Sequence, residues 1–403
     1  MGIRDGTPKA PITAFCLAGM ALAGLSQSEL GFCLPFLGEE YGLALGAMGI
    51  LASSWSLGFL LSPIGGNLSD RCGGMLMAWV SLAVLALAMA LISSSSSAAM
   101  ASPALFLGGM GVGFVESAMT PLMVELYGHR KGLALNALHA FIGIGAFAGP
   151  ILGGWMIGSG GSWRDIYRAC LLAYVALMLP SLPILRKRRL RALGRSMGGG
   201  RGAWAMARGS EFYLIMASAF FYFGAEFGTN AWLPAFLISV KGISAMEAGL
   251  ALGAFWGTIG IGRFALGGFV DRIGYRRAIS ILSVLSAASM ALGFTAHGPA
   301  LSIFAWATSG LWMAAIFPTI LAWATDSFPE HSGSISGSVF TFGFSGAAFA
   351  QWIVGFAGER ASLSCSVLYL AASALLIGLC SFASLRGRTG RGRLKGRSNE
   401  KAK

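Results

Sequence analysis

Long apolar runs separated by short polar breaks constrain this chain more than any other feature. A membrane-spanning helix needs about 20 mostly apolar residues. Twelve such runs can be read, near 12–37, 44–68, 75–93, 101–126, 133–157, 166–185, 211–236, 246–270, 278–296, 301–325, 335–357 and 363–385. Only 11% of the 403 residues are charged and 55% are hydrophobic. Soluble domains carry roughly 25% charged residues, so a water-facing surface cannot be built from this set. The 59 glycines agree, because small residues let membrane helices approach closely. The first run carries Glu29 and lacks a small-residue cleavage site, so it reads as a retained helix rather than a signal peptide.

An even number of spans puts both termini on one side, and Lys and Arg choose the side. Of the 29 basic residues, 24 fall on the face that holds the termini. The opposite face holds Arg164, Arg168, Lys241 and Arg360. This asymmetry predicts cytoplasmic termini and a multi-pass protein of the cell (cytoplasmic) membrane. The net charge of +13 therefore belongs to the lipid interface and not to a nucleic-acid partner. Six cysteines are scattered, with no C-x-x-C and no Cys/His cluster, which predicts no metal and no cofactor. No nucleophile–base pair suggests an enzyme. No G-x-x-x-x-G-K-[ST] run offers backbone amides to ATP phosphates, and no soluble signalling domain is appended. A monomer is expected.

The chain then repeats itself. "GGNLSDRCGG" at 65–74 and "LGGFVDRIGYRR" at 266–277 share Gly-x-x-x-Asp-Arg-x-Gly, with Gly66/Gly267, Asp70/Asp271, Arg71/Arg272 and Gly73/Gly274 each 201 residues apart. Gly113 and Pro121 in the fourth run match Gly310 and Pro318 in the tenth at the same spacing. The long polar break "RKRRLRALGRSMGGGRGAWAMARG" lies between the sixth and seventh runs. The expected organisation is an N-terminal six-helix bundle (1–185), a basic cytoplasmic linker (186–209), a C-terminal six-helix bundle (210–385) and a basic cytoplasmic tail (386–403). Binding sites in such folds lie between the halves near the bilayer midplane.

These motifs resemble the major facilitator superfamily. Gly66-x-x-x-Asp70-Arg71-x-Gly73 is similar to that family's signature between helices 2 and 3, and Gly267 to Arg277 is its second copy. The first copy departs from the pattern: Gly74 and Met75 stand where basic residues are usual, whereas the second keeps Arg276 and Arg277. Gly145-x-x-x-Gly149-Pro150-x-x-Gly153-Gly154 is similar to a helix-5 motif associated with antiporters, and Leu107 stands where many members carry a helix-4 arginine. Within the family, "GVGFVESAMTPLMVELYG", "FYFGAEFGTNAWLPAFL" and "IFPTILAW" resemble the fucose permease group of sugar–proton symporters. The resemblance implies an all-α fold of twelve transmembrane helices in two pseudo-symmetric bundles, working by alternating access.

Charges inside a span cost about 2.5–3.5 kcal/mol on insertion scales and are functional candidates by default. Glu116 lies about ten residues, roughly 15 Å, from either end of its helix, and its repeat mate is Met313. A buried carboxylate that holds its proton near neutral pH can carry one, and the resemblance implies that role; a structural hydrogen-bonder is the plainer alternative. Glu29 lies two residues from Gly31, where the fucose-permease pattern has its acid. Two residues rotate a side chain by about 200°, leaving Glu29 either on the cavity or toward outer water, and placing Gln27 on the side of Gly31. Both acids are proton-coupling candidates.

Tyr222, Glu226 and Asn230 share one face of the seventh helix. That stripe suits a sugar's hydroxyls, with Trp232, Trp256 and Trp312 available for stacking, or else serves interhelical hydrogen bonding. Asn136 and His139 share a face of the fifth helix, where the histidine either relays protons or packs. Arg263 lies eight residues before Asp271, and either anchors an anionic solute or pairs with an acid to lock one conformation. Gly66, Asp70, Arg71, Gly267, Asp271 and Arg272 sit at cytoplasmic helix ends and read as gating residues. Their carboxylates face helix N-termini, and their arginines bridge to acids such as Glu125.

The leading expectation is a secondary active transporter that moves a small polar solute, a sugar by resemblance, with protons. Two alternatives stay open: a proton-antiport exporter of drugs or other organic solutes, and an organic-anion transporter using Arg263. Whichever holds, Asp70→Asn and Asp271→Asn should slow turnover more than they weaken equilibrium solute binding. A loss of affinity beyond about tenfold, roughly 1.4 kcal/mol, would move these residues from the gate to the site.

Overall fold

The computed structural model describes residues 9–183 and 209–400, and no strand occurs among them. Residues 186–208 of the expected linker and 401–403 of the expected tail lie outside the described residues. The long helical segments are α1 (Lys9–Glu40), α2 (Leu45–Cys72), α3 (Gly74–Ser94), α4 (Ala98–Tyr127), α5 (Lys131–Gly158), α6 (Trp163–Pro183), α7 (Ser210–Ser239), α8 (Ala245–Ile273), α9 (Tyr275–Thr295), α10 (Pro299–Ser327), α11 (Ser332–Arg360) and α12 (Leu368–Glu400). Among the described residues, eleven segments are long and apolar enough to cross a membrane. The twelfth, α7, is 30 residues long but falls outside that set, since Glu211, Glu226 and Asn230 dilute its hydropathy. The helix of α12 runs on through Glu400, well into the expected tail.

Two runs that read as single helices are broken. Helix α2 stops at Phe59 and restarts at Ser62, ahead of Pro63; α10 stops at Met313 and restarts at Ile316, ahead of Pro318. A proline ring clashes with the carbonyl four residues upstream and offers no N–H. Four residues before these prolines stand Phe59 and Ala314, where the helices yield. The paired motifs gain a physical reason as well. Gly73 and Gly274 join α2 to α3 and α8 to α9 with φ of 94° and 81°, a backbone that glycine adopts without strain.

Packing follows the repeat. In the first half α1 packs on α5, α2 on α4, and α3 on α4 and α6; in the second, α7 packs on α11, α8 on α10, and α9 on α10 and α12. Among the described residues three pairs make the main crossings between the halves: α2 with α11, α5 with α8, and α1 with α7. The first two exchange under the repeat, and the third maps onto itself.

These crossings are closed toward the Glu40 end of α1. There Glu359 accepts from the Gly46 amide at 3.0 Å, Ser53 Oγ donates to the Ala348 carbonyl at 2.8 Å, and Ser56 Oγ donates to Gln351 at 2.7 Å. The Phe59 and Phe344 rings stack 3.7 Å apart. Beyond that stack, toward the Lys9 end of α1, the helices part around a cavity of about 310 Å³ bordered by Gly66, Asp70, Ser117 and Phe340. The halves are shut on one face and separated on the other.

Gly31 shows how tight the shut face is. A Cβ there would lie 1.7 Å from the Asn230 carbonyl oxygen of α7, so alanine cannot fit unless α1 and α7 separate. Overpacking of this kind costs about 1–3 kcal/mol. Gly31→Ala should shift the population by roughly five- to 150-fold away from this closed face. Alkylation of a cysteine replacing Ser53, a near-isosteric exchange at the α2–α11 crossing, should quicken accordingly; an unchanged rate would mean that the crossing does not separate.

Candidate functional site

Arg263 is the centre of the site. It projects from α8, and its buried Nε has no hydrogen-bond partner among the described residues. Glu116 on α4, His139 on α5, and Tyr222 and Glu226 on α7 all lie within the electrostatic reach of its guanidinium. Four helices from both halves thus converge on one cation. Neither acid forms an ion pair with it: among the described residues the pairs are Glu40–Arg164, Asp165–Arg168 and Glu211–Arg276. Asn136, His139, Gly260 and Arg263 border a cavity of about 170 Å³ between α5 and α8.

The α7 stripe points inward, as its spacing predicts. Tyr222 donates its hydroxyl to Glu226 at 3.0 Å, and its ring stacks on Phe317 with centroids 5.7 Å apart. Glu226 is 5% exposed and lies within the electrostatic reach of Arg263. Asn230 behaves differently. Its amide donates to the Gln27 carbonyl at 3.2 Å and accepts from Trp256 Nε1 at 2.9 Å, tying α7 to α1 and α8. Trp232 likewise spends its N–H on the Gln351 carbonyl. Trp312 is half-buried against the apolar core.

Glu29 occupies neither of the two placements that the sequence left open. It is 2% exposed, and the Cys170 thiol of α6 donates to it at 2.8 Å. A Cβ on Gly149 of α5 would lie 3.3 Å from its Cγ. The two-residue rotation away from Gly31 carries Glu29 into the interior of the first half, because α7 already covers the face of Gly31 and Gln27. Glu29 is therefore not among the groups within the electrostatic reach of Arg263. The glycines of the helix-5 motif serve packing: a Cβ on Gly145 would lie 1.8 Å from the Ala21 carbonyl oxygen of α1, and one on Gly249 of α8 would lie 2.2 Å from that of Pro150.

Gly66 and Asp70 border the open cavity, with Asp70 across from Gly337 and Thr341 near the start of α11. The bridge from Arg71 to Glu125 is not formed. Both side chains are exposed, where pairing contributes little. Asp271 and Arg272 make no ion pair with another described residue, and Gly267 has open space around it. The second motif copy keeps Arg276 for a separate reason. Arg276 pairs with Glu211 of α7, donates to Ser384 of α12 at 2.8 Å and lies 5.2 Å from the Trp323 ring of α10. Met75 takes the equivalent place after Gly73 and is fully buried.

Sequence reasoning missed Cys170, Gln351 and the Glu211–Arg276 clamp. Gln351, 1% exposed, was open to detection as a lone amide in an apolar run. Cys170 carried no such signal.

The sequence matches the model of the Major Facilitator Superfamily over residues 16–351. A similar curated protein is the cis,cis-muconate transport protein of Acinetobacter baylyi, 22% identical across 91% of this chain and 92% of that protein. Among solved structures, the nucleoside transporter NupG superposes with a TM-score of 0.78 at 14% identity, covering 93% of this chain and 99% of its own. The E. coli fucose:proton symporter FucP superposes at 0.60 and 17% identity, covering 92% and 97%.

The two bonds of Asn230 separate packing from solute contact. Asn230→Ala strands the Trp256 N–H and should destabilise the fold by about 1–3 kcal/mol. Thermal unfolding of purified protein should fall by several degrees while solute affinity stays within about twofold. A large loss of affinity at unchanged stability would return Asn230 to the binding surface.

Proposed function

Because the chain belongs to the Major Facilitator Superfamily, and its relatives and structural neighbours are transporters rather than enzymes, we propose that it carries a small organic anion across the cell membrane together with protons. The observation that supports this reading is Arg263: a mid-membrane guanidinium whose buried Nε has no partner among the described residues, with two acids in its electrostatic reach and no ion pair to either. An anion seated there would complete its hydrogen bonds with charge-assisted geometry.

Proton coupling follows from charge balance. Two carboxylates and a bound anion cannot all stay ionised around one guanidinium in a low-dielectric site. Arrival of the anion is accommodated when a carboxyl group takes up a proton, and release of the anion frees that proton. Glu116 is the better carrier, since it is half-buried and, among the described residues, no hydrogen bond holds it. Glu226, held by Tyr222, orients the site. Alternating access moves the pair across: the face now shut opens while the separated one closes.

A second reading, a neutral sugar, rests on the Tyr222–Glu226 hydrogen bond beside the Phe317 ring, a set of acceptors and faces that also suits hydroxyls. Solute-induced pH change in proteoliposomes, run across carboxylates, sugars and nucleosides, separates the two. Glu116→Gln should abolish proton-driven accumulation while solute-for-solute exchange persists at within about threefold of wild type. Uphill accumulation at the wild-type level would remove Glu116 from the coupling.

A further inference from the structure

The Arg263 cavity does not end at its polar groups. Ala140, Gly260 and Phe264 border it and also border a second space of about 370 Å³. This second space lies between α5 and α8 at mid-span. Its remaining walls are Gly143, Ile144, Phe147, Gly257 and Ile261, so it offers no polar side chain. It opens sideways: Ile261 is 69% and Phe264 68% exposed, with Ile144 at 55%, and at that depth the surroundings are lipid hydrocarbon. Glycines make the room. A Cβ on Gly260 would meet nothing within 4 Å, and one on Gly143 would touch only the Gly260 Cα at 3.7 Å.

A cation with unmet hydrogen-bonding capacity therefore adjoins an apolar groove that leads into the bilayer. We propose that the transported anion is amphipathic, with its head on Arg263 and an apolar tail of several carbons in the α5–α8 groove, reached laterally from the membrane. This rests on the anion reading above and narrows it to a substrate class. The two parts suit one molecule because they adjoin at the same three residues, of which Ala140 and Gly260 carry almost no side chain. Small-molecule sites commonly span 300–1,000 Å³, and the Arg263 cavity of about 170 Å³ reaches that range only together with the apolar groove. A groove filled by a bilayer acyl chain would look alike but would have no need of the guanidinium.

Straight-chain alkylsulfonates test the two parts separately, since their heads stay charged at all working pH. Saturable binding of ethane-, hexane- and decanesulfonate would be measured by calorimetry on the full chain in nanodiscs, with empty nanodiscs subtracted. Affinity should rise at least tenfold from two carbons to ten. Arg263→Gln should abolish binding at every length. Gly143→Leu, which fills the groove from α5 without bordering the Arg263 cavity, should cut the decane-to-ethane affinity ratio at least tenfold. Gly143→Ala should retain most of that ratio, and so controls for helix distortion. Length-independent binding that still needs Arg263 would overturn the groove and leave the anion reading standing. Binding at no length, or binding indifferent to Arg263→Gln, would overturn both.

Discussion

A guanidinium at mid-membrane depth must be offset by groups drawn from the protein, because hydrocarbon supplies none. Arg263 sets that requirement, and the arrangement around it follows. Glu116, His139, Tyr222 and Glu226 lie within its reach from three other helices, yet no acid closes on it as an ion pair. A tight pair would hold the two halves in one state, since Glu116 belongs to the first and Arg263 to the second. Loose compensation leaves the cation available to a solute and the halves free to part.

How they part depends on what each crossing is made of. Between α2 and α11 the contacts include hydrogen bonds from Ser53, Ser56 and the Gly46 amide. Between α5 and α8 no hydrogen bond occurs among the described residues, and the contact is glycine against backbone, as at Gly249 and Pro150. Separating the first crossing strands polar groups, each costing roughly 1–3 kcal/mol if left unmet. Separating the second forfeits mainly dispersion contacts that lipid chains replace. Lateral access is therefore easier beside α5 and α8, which is also where Arg263 lies.

Much of this was legible in the sequence. Apolar runs placed the first eleven helices to within a few residues but ended the last one far short of Glu400; the doubled Gly-x-x-x-Asp-Arg-x-Gly marked the repeat, and charge in an apolar run picked out Glu116, Glu226 and Arg263. What stayed hidden has a common cause: periodicity gives a side chain's direction around its own helix but not which neighbour waits there. Glu29 was correctly rotated away from Gly31, yet nothing in its surroundings named Cys170 and the interior of the first half. Asn230 was correctly aimed inward, yet its amide turned out to be committed to α1 and α8. The broken helices were readable from Pro63 and Pro318, but proline also occurs inside unbroken helices here, as Pro35 and Pro150 do.

The repeat and the chemistry divide the work between them. Where the halves correspond, as at Gly73/Gly274 or in the pairing of α1 with α5 and α7 with α11, the shared feature shapes the backbone or its packing. Where they differ, charge appears. Glu116 corresponds to Met313, and at the 201-residue spacing Arg263 corresponds to Ser62 and His139 to Phe340. The mirror of the Arg263 cavity, between α2 and α11, has Phe59, Phe340 and Phe344 in its lining and no cation, with Asp70 at its edge. A symmetric pair of buried guanidinium groups would demand twice the compensating acid within one low-dielectric space. The guanidinium and its compensating groups thus stand on the α5–α8 side, while the α2–α11 side supplies the stacked contact of Phe59 and Phe344.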